Sequence, residues 1–151
     1  MTAEVTRANT DFTRAATDFG RVEISHVTGD RFTVRIRDHA VTVDQPKGAG
    51  GEDTGPTPTE LFVASLAGCV GYYVRRALAR RGHPTDGLAV TTTYRMGTNP
   101  ARVAEVRITV TLPGDYDADT LARLRAVAEH CTVHNSLRIP PSVEIELATT
   151  P

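Results

Sequence analysis

Apolar and polar residues alternate over three short stretches in the first third of the chain. A period of two residues sends successive side chains to opposite faces, which predicts β-strands with one apolar face. Turn-forming residues at 28–30 and 38–39 separate the stretches. The sequence therefore predicts a β-meander with strands at residues 21–24, 31–37 and 40–44.

The longest apolar stretch, residues 61–74, has no charged residue. Its start carries three helix signals: Thr57 is a capping residue, Pro58 suits the first helical position, and Glu60 completes a Thr-x-x-Glu capping box. The Gly-His-Pro sequence at residues 82–84 marks its end. These signals predict one long helix.

This predicted helix is apolar on all sides, so its own chain or a partner chain must cover it. Its apolar stretch is too short to span a bilayer. Small side chains on the helix would let another backbone approach closely. They are Ala64, Ala67, Gly68 and Gly71. We therefore expect it to pack against a second helix through the face that bears Cys69.

The following segments predict an antiparallel hairpin with one buried face. Residues 88–95 and 106–112 alternate between apolar and polar side chains, and residues 97–100 join them with Gly, Asn and Pro. We expect both strands to be longer than those of the meander.

The last third of the chain predicts a second helix and a final strand. Asp117 is placed to cap a helix, and apolar residues follow it at helical spacing. These residues are Leu121, Leu124, Ala128 and Cys131. After Pro140 and Pro141, apolar residues at 143, 145 and 147 alternate with glutamates as a strand. The element order indicates an α+β fold.

Length and composition indicate one globular domain. The chain has 151 residues, of which 40% are hydrophobic, so we expect a single domain over residues 1–151 with one core. Residues 1–18 are poor in apolar side chains and are expected to be flexible. They also lack the apolar region of a secretory signal, so a cytoplasmic location is expected.

The charge pattern bears on possible partners. The 17 basic and 18 acidic residues give a net charge of -1, without long runs of one sign. This balance argues against nucleic acid or an anionic membrane as the main partner. The absence of tryptophan also argues against a base-stacking surface.

Cys69 and Cys131 are the only cysteines and the main candidates for chemistry. A buried cysteine is by default a small apolar side chain. Here, however, each lies on the inward face of a predicted helix. Two shielded thiols suit a cycle in which one attacks a peroxide and the other resolves the sulfenic acid as a disulfide.

Two motifs around these cysteines resemble the signature helices of the OsmC/Ohr family. The first is Gly-Pro-Thr-Pro-Thr-Glu-Leu-Phe from Gly55, with Ala-Gly-Cys ending at Cys69. The second is Ala-Glu-His-Cys-Thr-Val-His-Asn-Ser-Leu, ending at Leu137. Asp-His-Ala, Asp-Gln-Pro and Gly-Gly-Glu-Asp before the first motif are also similar. The resemblance covers residues 20–148.

The resemblance implies a cytoplasmic thiol peroxidase that reduces organic hydroperoxides. It further implies an intertwined homodimer with active sites at the interface, a dithiol or small-thiol reductant, and no cofactor. By resemblance, Cys69 is the peroxidatic cysteine and Cys131 is the resolving one. Thr132 stands where the family often has proline.

The family's peroxidases also use an arginine and a glutamate to hold the reactive thiolate. Thr59 occupies the position of that glutamate, and the acid of this chain follows at Glu60, which is therefore the candidate for the catalytic acid. On a straight helix, Glu60 and Cys69 lie on opposite sides, which favours the capping role for Glu60. Among the strand arginines, Arg31 is nearest to the family position, ahead of Arg35 and Arg37.

Two alternatives stay open from the sequence. His130, Cys131 and His134 would lie near one another on a helix and suit a transition metal, although no glutamate completes a catalytic motif. Alternatively, the chain has the family fold without catalysis and binds a small apolar ligand or a metal in an interfacial pocket. Thr59 favours this second alternative.

Overall fold

The computed structural model of the protein describes residues 20–150. The chain divides after Gly55 into two compact units. The flexible segment predicted at residues 1–18 lies outside the described residues.

The N-terminal unit contains the predicted meander. Its strands are β1 (Glu23–Thr28), β2 (Arg31–Ile36) and β3 (His39–Val43), and they form one antiparallel sheet in the order β1-β2-β3. Ile24 pairs with Val34, and Val34 pairs with Val41, so the apolar residues share one face as the alternation predicts. Phe32 and Ile36 on that face are still 38% and 40% exposed.

The C-terminal unit starts with the long helix α1 (Pro58–Arg80). The hairpin of β4 (Ala89–Gly97) and β5 (Arg102–Thr111) follows, then α2 (Ala118–Glu129) and α3 (Thr132–Arg138). Helix α1 contacts both hairpin strands and both later helices. The fold is therefore α+β, as predicted, with α1 at the centre of this unit.

The core of the C-terminal unit lies on one side of α1. The buried residues are Leu66, Val70, Val74, Ala77, Leu78, Leu124 and Cys131. On β4 and β5, Val90 pairs with Val110 and Tyr94 pairs with Val106, which confirms the predicted hairpin. Gly71 lets α1 approach β4, since a Cβ there would lie 3.1 Å from Val90.

The other side of α1 is exposed in the single chain. Phe62 and Tyr72 are 40% and 47% exposed, and a Cβ added at Gly68 would meet no atom within 4 Å. The chain's own elements thus cover one face of the helix, and the expectation that a partner chain covers the rest stays a prediction. Gly71 therefore allows α1 to pack on the sheet, whereas Gly68 faces open space.

Two predicted elements differ from the structure. A third helix, α3, is present, whereas the sequence pattern predicts only two helices. The predicted last strand is wrong: residues 140–150 form no helix or strand, and Ile145 and Leu147 are 86% and 94% exposed. A strand needs a neighbouring strand to pair its backbone groups, and none pairs with this segment in the described part of the chain.

Candidate active site

Cys69 lies in the middle of α1 and carries a free thiol. Leu66, three residues before it, and Val70, the next residue, are both 5% exposed. Cys69 sits at the border of this buried face and is only partly exposed. Such a thiol can be reached from outside, while its surroundings are largely apolar.

Cys131 is fully buried, as its place in the apolar repeat predicts. The predicted helical position is wrong, however. Helix α2 ends at Glu129, and Cys131 is the N-cap of α3 with extended dihedral angles, φ -67° and ψ 151°. Its amide still donates to the Ala128 carbonyl at 3.3 Å, so the turn at His130 keeps the side chain inward.

The structure brings the two cysteines together in the core. The Cys69 side chain packs against the buried cluster that contains Cys131, which makes the two thiols neighbours. Burial raises the pKa of the Cys131 thiol above its usual value, and the neighbouring Cys69 thiol raises it further. The backbone N–H groups of His134 and Val133 act in the opposite direction. The net effect keeps Cys131 protonated at neutral pH.

A hydrogen bond links the two cysteine-bearing segments. The hydroxyl of Tyr73, one helical turn beyond Cys69, lies 2.8 Å from Oγ1 of Thr132, which directly follows Cys131. Helical spacing from Cys69 places Tyr73 on the same side of α1, but nothing in the sequence links it to Thr132.

Arg31, the predicted arginine, lies on β2 of the N-terminal unit. Its guanidinium forms an ion pair with Glu52, and its side chain is 28% exposed. The Nε atom of Arg31 is buried and makes no hydrogen bond to any residue that the structure describes. Arg35 and Arg37 are exposed. No sequence pattern links Glu52 to Arg31, because the two residues are distant in the chain.

Asp44 holds the loop that carries Glu52. Its side chain is buried and accepts four hydrogen bonds: from the amides of Gln45, Glu52 and Thr54, at 2.8, 3.3 and 3.0 Å, and from the Thr54 hydroxyl at 2.7 Å. These bonds, above all those from Thr54, lower the pKa of the Asp44 carboxyl from 3.8 to about 2.

Glycines allow this loop to close. A Cβ on Gly51 would lie 2.0 Å from the Gln45 carbonyl oxygen, and one on Gly55 would lie 2.4 Å from the Thr42 carbonyl oxygen. Real Cβ atoms do not approach a carbonyl oxygen so closely. The loop from β3 to α1 is therefore a fixed structure around Asp44.

Glu60 forms the predicted capping box. Its carboxylate accepts a hydrogen bond from the Thr57 amide at 2.7 Å, and its own amide donates to the Thr57 hydroxyl at 3.1 Å. Thr59 follows within the first turn of α1 and supplies no acid there. The predicted capping role of Glu60 is therefore confirmed, and its role as a catalytic acid stays a prediction.

The histidines predicted near Cys131 do not share one helix. His130 is the C-cap of α2 and donates from Nδ1 to the Ala126 carbonyl at 2.7 Å, whereas His134 lies within α3. Among residues 20–150, no three His, Cys, Asp or Glu side chains lie close enough together to hold a metal ion. The break after α2 separates the two imidazoles.

An open groove of about 780 Å³ lies within the C-terminal unit, between α2 and β5. Its walls are mostly apolar and include Val74, Val110, Leu112 and Leu121. Neither cysteine lines it. The groove is thus separate from the thiol pair.

No helix in the described part of the chain has the length and apolar character needed to cross a membrane. Residues 50–146 match the model of the family described as OsmC-like protein. No curated protein matches the chain.

Solved structures share the fold. An osmotic stress and detoxification response protein of Psychrobacter arcticus is 23% identical, with a TM-score of 0.72 over 76% of this chain and 85% of that one. Organic hydroperoxide resistance proteins of Legionella pneumophila and Elizabethkingia anophelis are each 20% identical. Their TM-scores are 0.61 and 0.62, over 78% and 81% of this chain and 89% and 91% of theirs. The matched segment contains both cysteine motifs, and the chain belongs to the OsmC-like protein family.

Proposed function

We propose that the protein is a thiol peroxidase that reduces organic hydroperoxides, with Cys69 as the peroxidatic and Cys131 as the resolving cysteine. The packing of the free Cys69 thiol against the buried cluster that contains the free Cys131 thiol carries the proposal. The solved relatives named as organic hydroperoxide resistance proteins support the substrate class.

The difference in exposure supports the division of roles. Cys69 is partly exposed and can meet a hydroperoxide, whereas Cys131 is fully buried and can react only with a group already in the core. In the first step, the Cys69 thiolate attacks the outer peroxide oxygen and the O–O bond breaks. The alkoxide leaves with a proton as an alcohol, and Cys69 becomes a sulfenic acid.

In the second step, the Cys131 sulfur attacks the Cys69 sulfur and the S–O bond breaks. The hydroxide leaves with the Cys131 proton as water, and a disulfide forms. An external dithiol or small thiol then returns two electrons by thiol–disulfide exchange and restores both cysteines. A reducing compartment such as the cytoplasm would supply it.

Arg31 is the proposed support for the Cys69 thiolate. The positive charge of a guanidinium stabilises a nearby thiolate. The buried Nε of Arg31 has no acceptor among residues 20–150, so this donor is unpaired in the single chain. In this proposal, Glu52 is the acid that pairs with the arginine, because it forms the ion pair with Arg31. Glu60 caps α1 instead.

The proposed assembly is a homodimer. The open side of α1 around Gly68 and the exposed apolar residues of the N-terminal sheet support it, because a second copy would remove both from water.

Two cysteine variants test the proposal. Cys69→Ser should abolish the consumption of cumene hydroperoxide. Cys131→Ser should still react once and stop at a sulfenic acid that dimedone labels. Unchanged peroxide consumption in Cys69→Ser, or no labelled sulfenic acid in Cys131→Ser, would show that Cys69 is not the peroxidatic cysteine.

The apolar surroundings of Cys69 favour organic hydroperoxides over hydrogen peroxide. Each methylene buried on binding contributes about 0.8 kcal/mol, so a tail that buries three or four would raise kcat/KM by about two orders of magnitude. Rates with hydrogen peroxide, tert-butyl hydroperoxide and cumene hydroperoxide measure this preference. Equal rates would contradict it.

The groove between α2 and β5 favours a second candidate function, the binding of a small apolar ligand. An apolar fluorescent probe should then bind to wild type and to Cys69→Ser with equal affinity, and Leu121→Glu should weaken binding. Loss of probe binding in Cys69→Ser alone would reject the groove as its site.

A further inference from the structure

The short helix α3 begins directly after the proposed resolving cysteine. It spans Thr132–Arg138, and helices of this length are not stable alone. Its position against α1 therefore depends on tertiary contacts. Val133 and Cys131 supply apolar packing there.

The Tyr73–Thr132 hydrogen bond adds a directional contact to this packing. At 2.8 Å, it is the one side-chain hydrogen bond that joins α1 to α3 among residues 20–150. The other side-chain bonds of α3 are local: Ser136 donates to the Thr132 carbonyl, and Asn135 donates to the His130 carbonyl. The hydroxyl pair thus fixes the point at which the Cys131 backbone meets α1.

Disulfide formation requires accurate placement of the two sulfurs. The two sulfurs must approach to about 2.05 Å with a torsion near 90°, and small errors in placement slow a reaction between groups held in a protein. Cys69 lies one turn before Tyr73, and Cys131 lies directly before Thr132. The hydrogen bond therefore constrains both sulfurs through their own backbones.

We infer that Tyr73 and Thr132 are positioning residues that hold Cys131 in register for attack on oxidised Cys69. The inference rests on the proposed peroxidase function. It concerns only the step in which the Cys131 sulfur displaces the hydroxyl of the Cys69 sulfenic acid and water leaves. Proline, which the resemblance leads one to expect after this cysteine, has no hydroxyl and could not form the bond.

Single-turnover kinetics test the inference. Reduced protein is mixed with one equivalent of cumene hydroperoxide, and sulfenic acid and disulfide are followed by rapid quench and mass spectrometry. In Tyr73→Phe and Thr132→Val, sulfenic acid should form at the wild-type rate and disulfide about three- to tenfold more slowly, the effect of one hydrogen bond. The double variant should be no slower than the slower single variant.

Matched variants separate positioning from general damage. Thr132→Ser keeps the hydroxyl and should retain the wild-type rate of disulfide formation. Tyr116→Phe removes another tyrosine hydroxyl of the same unit, whose contact is the Pro113 carbonyl at 3.4 Å, and should change neither step.

The outcomes distinguish failure of the inference from failure of the proposed function. Wild type that forms no sulfenic acid contradicts the peroxidase proposal and the inference with it. Normal sulfenic acid formation with wild-type disulfide rates in Tyr73→Phe and Thr132→Val overturns the inference alone. An equal loss in Thr132→Ser and Thr132→Val, or an equal slowing of both steps, would also overturn it.

Discussion

The guanidinium of Arg31 is paired with the carboxylate of Glu52, on the loop that leads from β3 to α1. The backbone amide of Glu52 is itself bound to the buried carboxylate of Asp44. Asp44 thus fixes the backbone of Glu52, and the Glu52 carboxylate in turn orients Arg31.

We expect Glu52→Gln to lower kcat/KM for cumene hydroperoxide about tenfold, which corresponds to about 1.4 kcal/mol. The amide keeps the shape of the side chain but removes the charge that orients Arg31. Steady-state assays measure the effect. Glu23→Gln is the control, because Glu23 pairs with the highly exposed Arg21. Equal activity of Glu52→Gln and wild type would contradict a role for the pair.

Asp44 should make stability depend on pH in the acid range. Its pKa is lowered to about 2 in the folded protein, from an ordinary 3.8. The stabilisation is therefore complete above about pH 4 and is lost as the pH falls towards 2. The difference in Tm between wild type and Asp44→Asn, measured from pH 2 to 6, should become smaller below pH 4. A constant gap would show that the charge of Asp44 is unimportant.

The thiols should differ in reactivity towards iodoacetamide. The raised pKa and full burial of Cys131 keep its thiol from reacting with iodoacetamide, whereas Cys69 is partly exposed. Native protein at about pH 8 should give one adduct, at Cys69, and a second only after unfolding. Peptide mapping locates the adducts, with Cys69→Ser as control. Faster labelling of Cys131 would contradict the observed burial.

Gly68→Leu should weaken the proposed homodimer. A leucine side chain has room on α1 of the single chain, but in a close contact between helices it would overpack, at a cost of about 1–3 kcal/mol. Light scattering at micromolar concentration measures the change. Gly48→Leu, also placed in open space but on the loop, should leave the assembly intact. A monomeric wild type would refute the dimer itself.

Local signals predicted the fold well. Thr57, Pro58 and Glu60 act on one another within a single turn, so the start of α1 follows from the sequence alone. The alternating residues of β4 and β5 lie on a two-strand hairpin, where pairing is also local.

Structural features that depend on contacts between distant residues were harder to predict. No glycine or proline marks the break between α2 and α3, and apolar spacing alone continues the helix to Cys131. The alternation at residues 143–147 describes a strand only if a neighbour pairs with it. The partners Glu52 and Thr132 are remote in sequence from Arg31 and Tyr73, and no periodicity connects them.

The glycines of the β3 to α1 loop have a consequence for variation. Gly51 and Gly55 are required by lack of space, whereas Gly48 has no atom near its missing side chain. A library with this loop randomised and selected for folding would return glycine at 51 and 55 and a broad mixture at 48. Glycine is thus required at positions 51 and 55, where the backbone packs closely, and is replaceable at position 48.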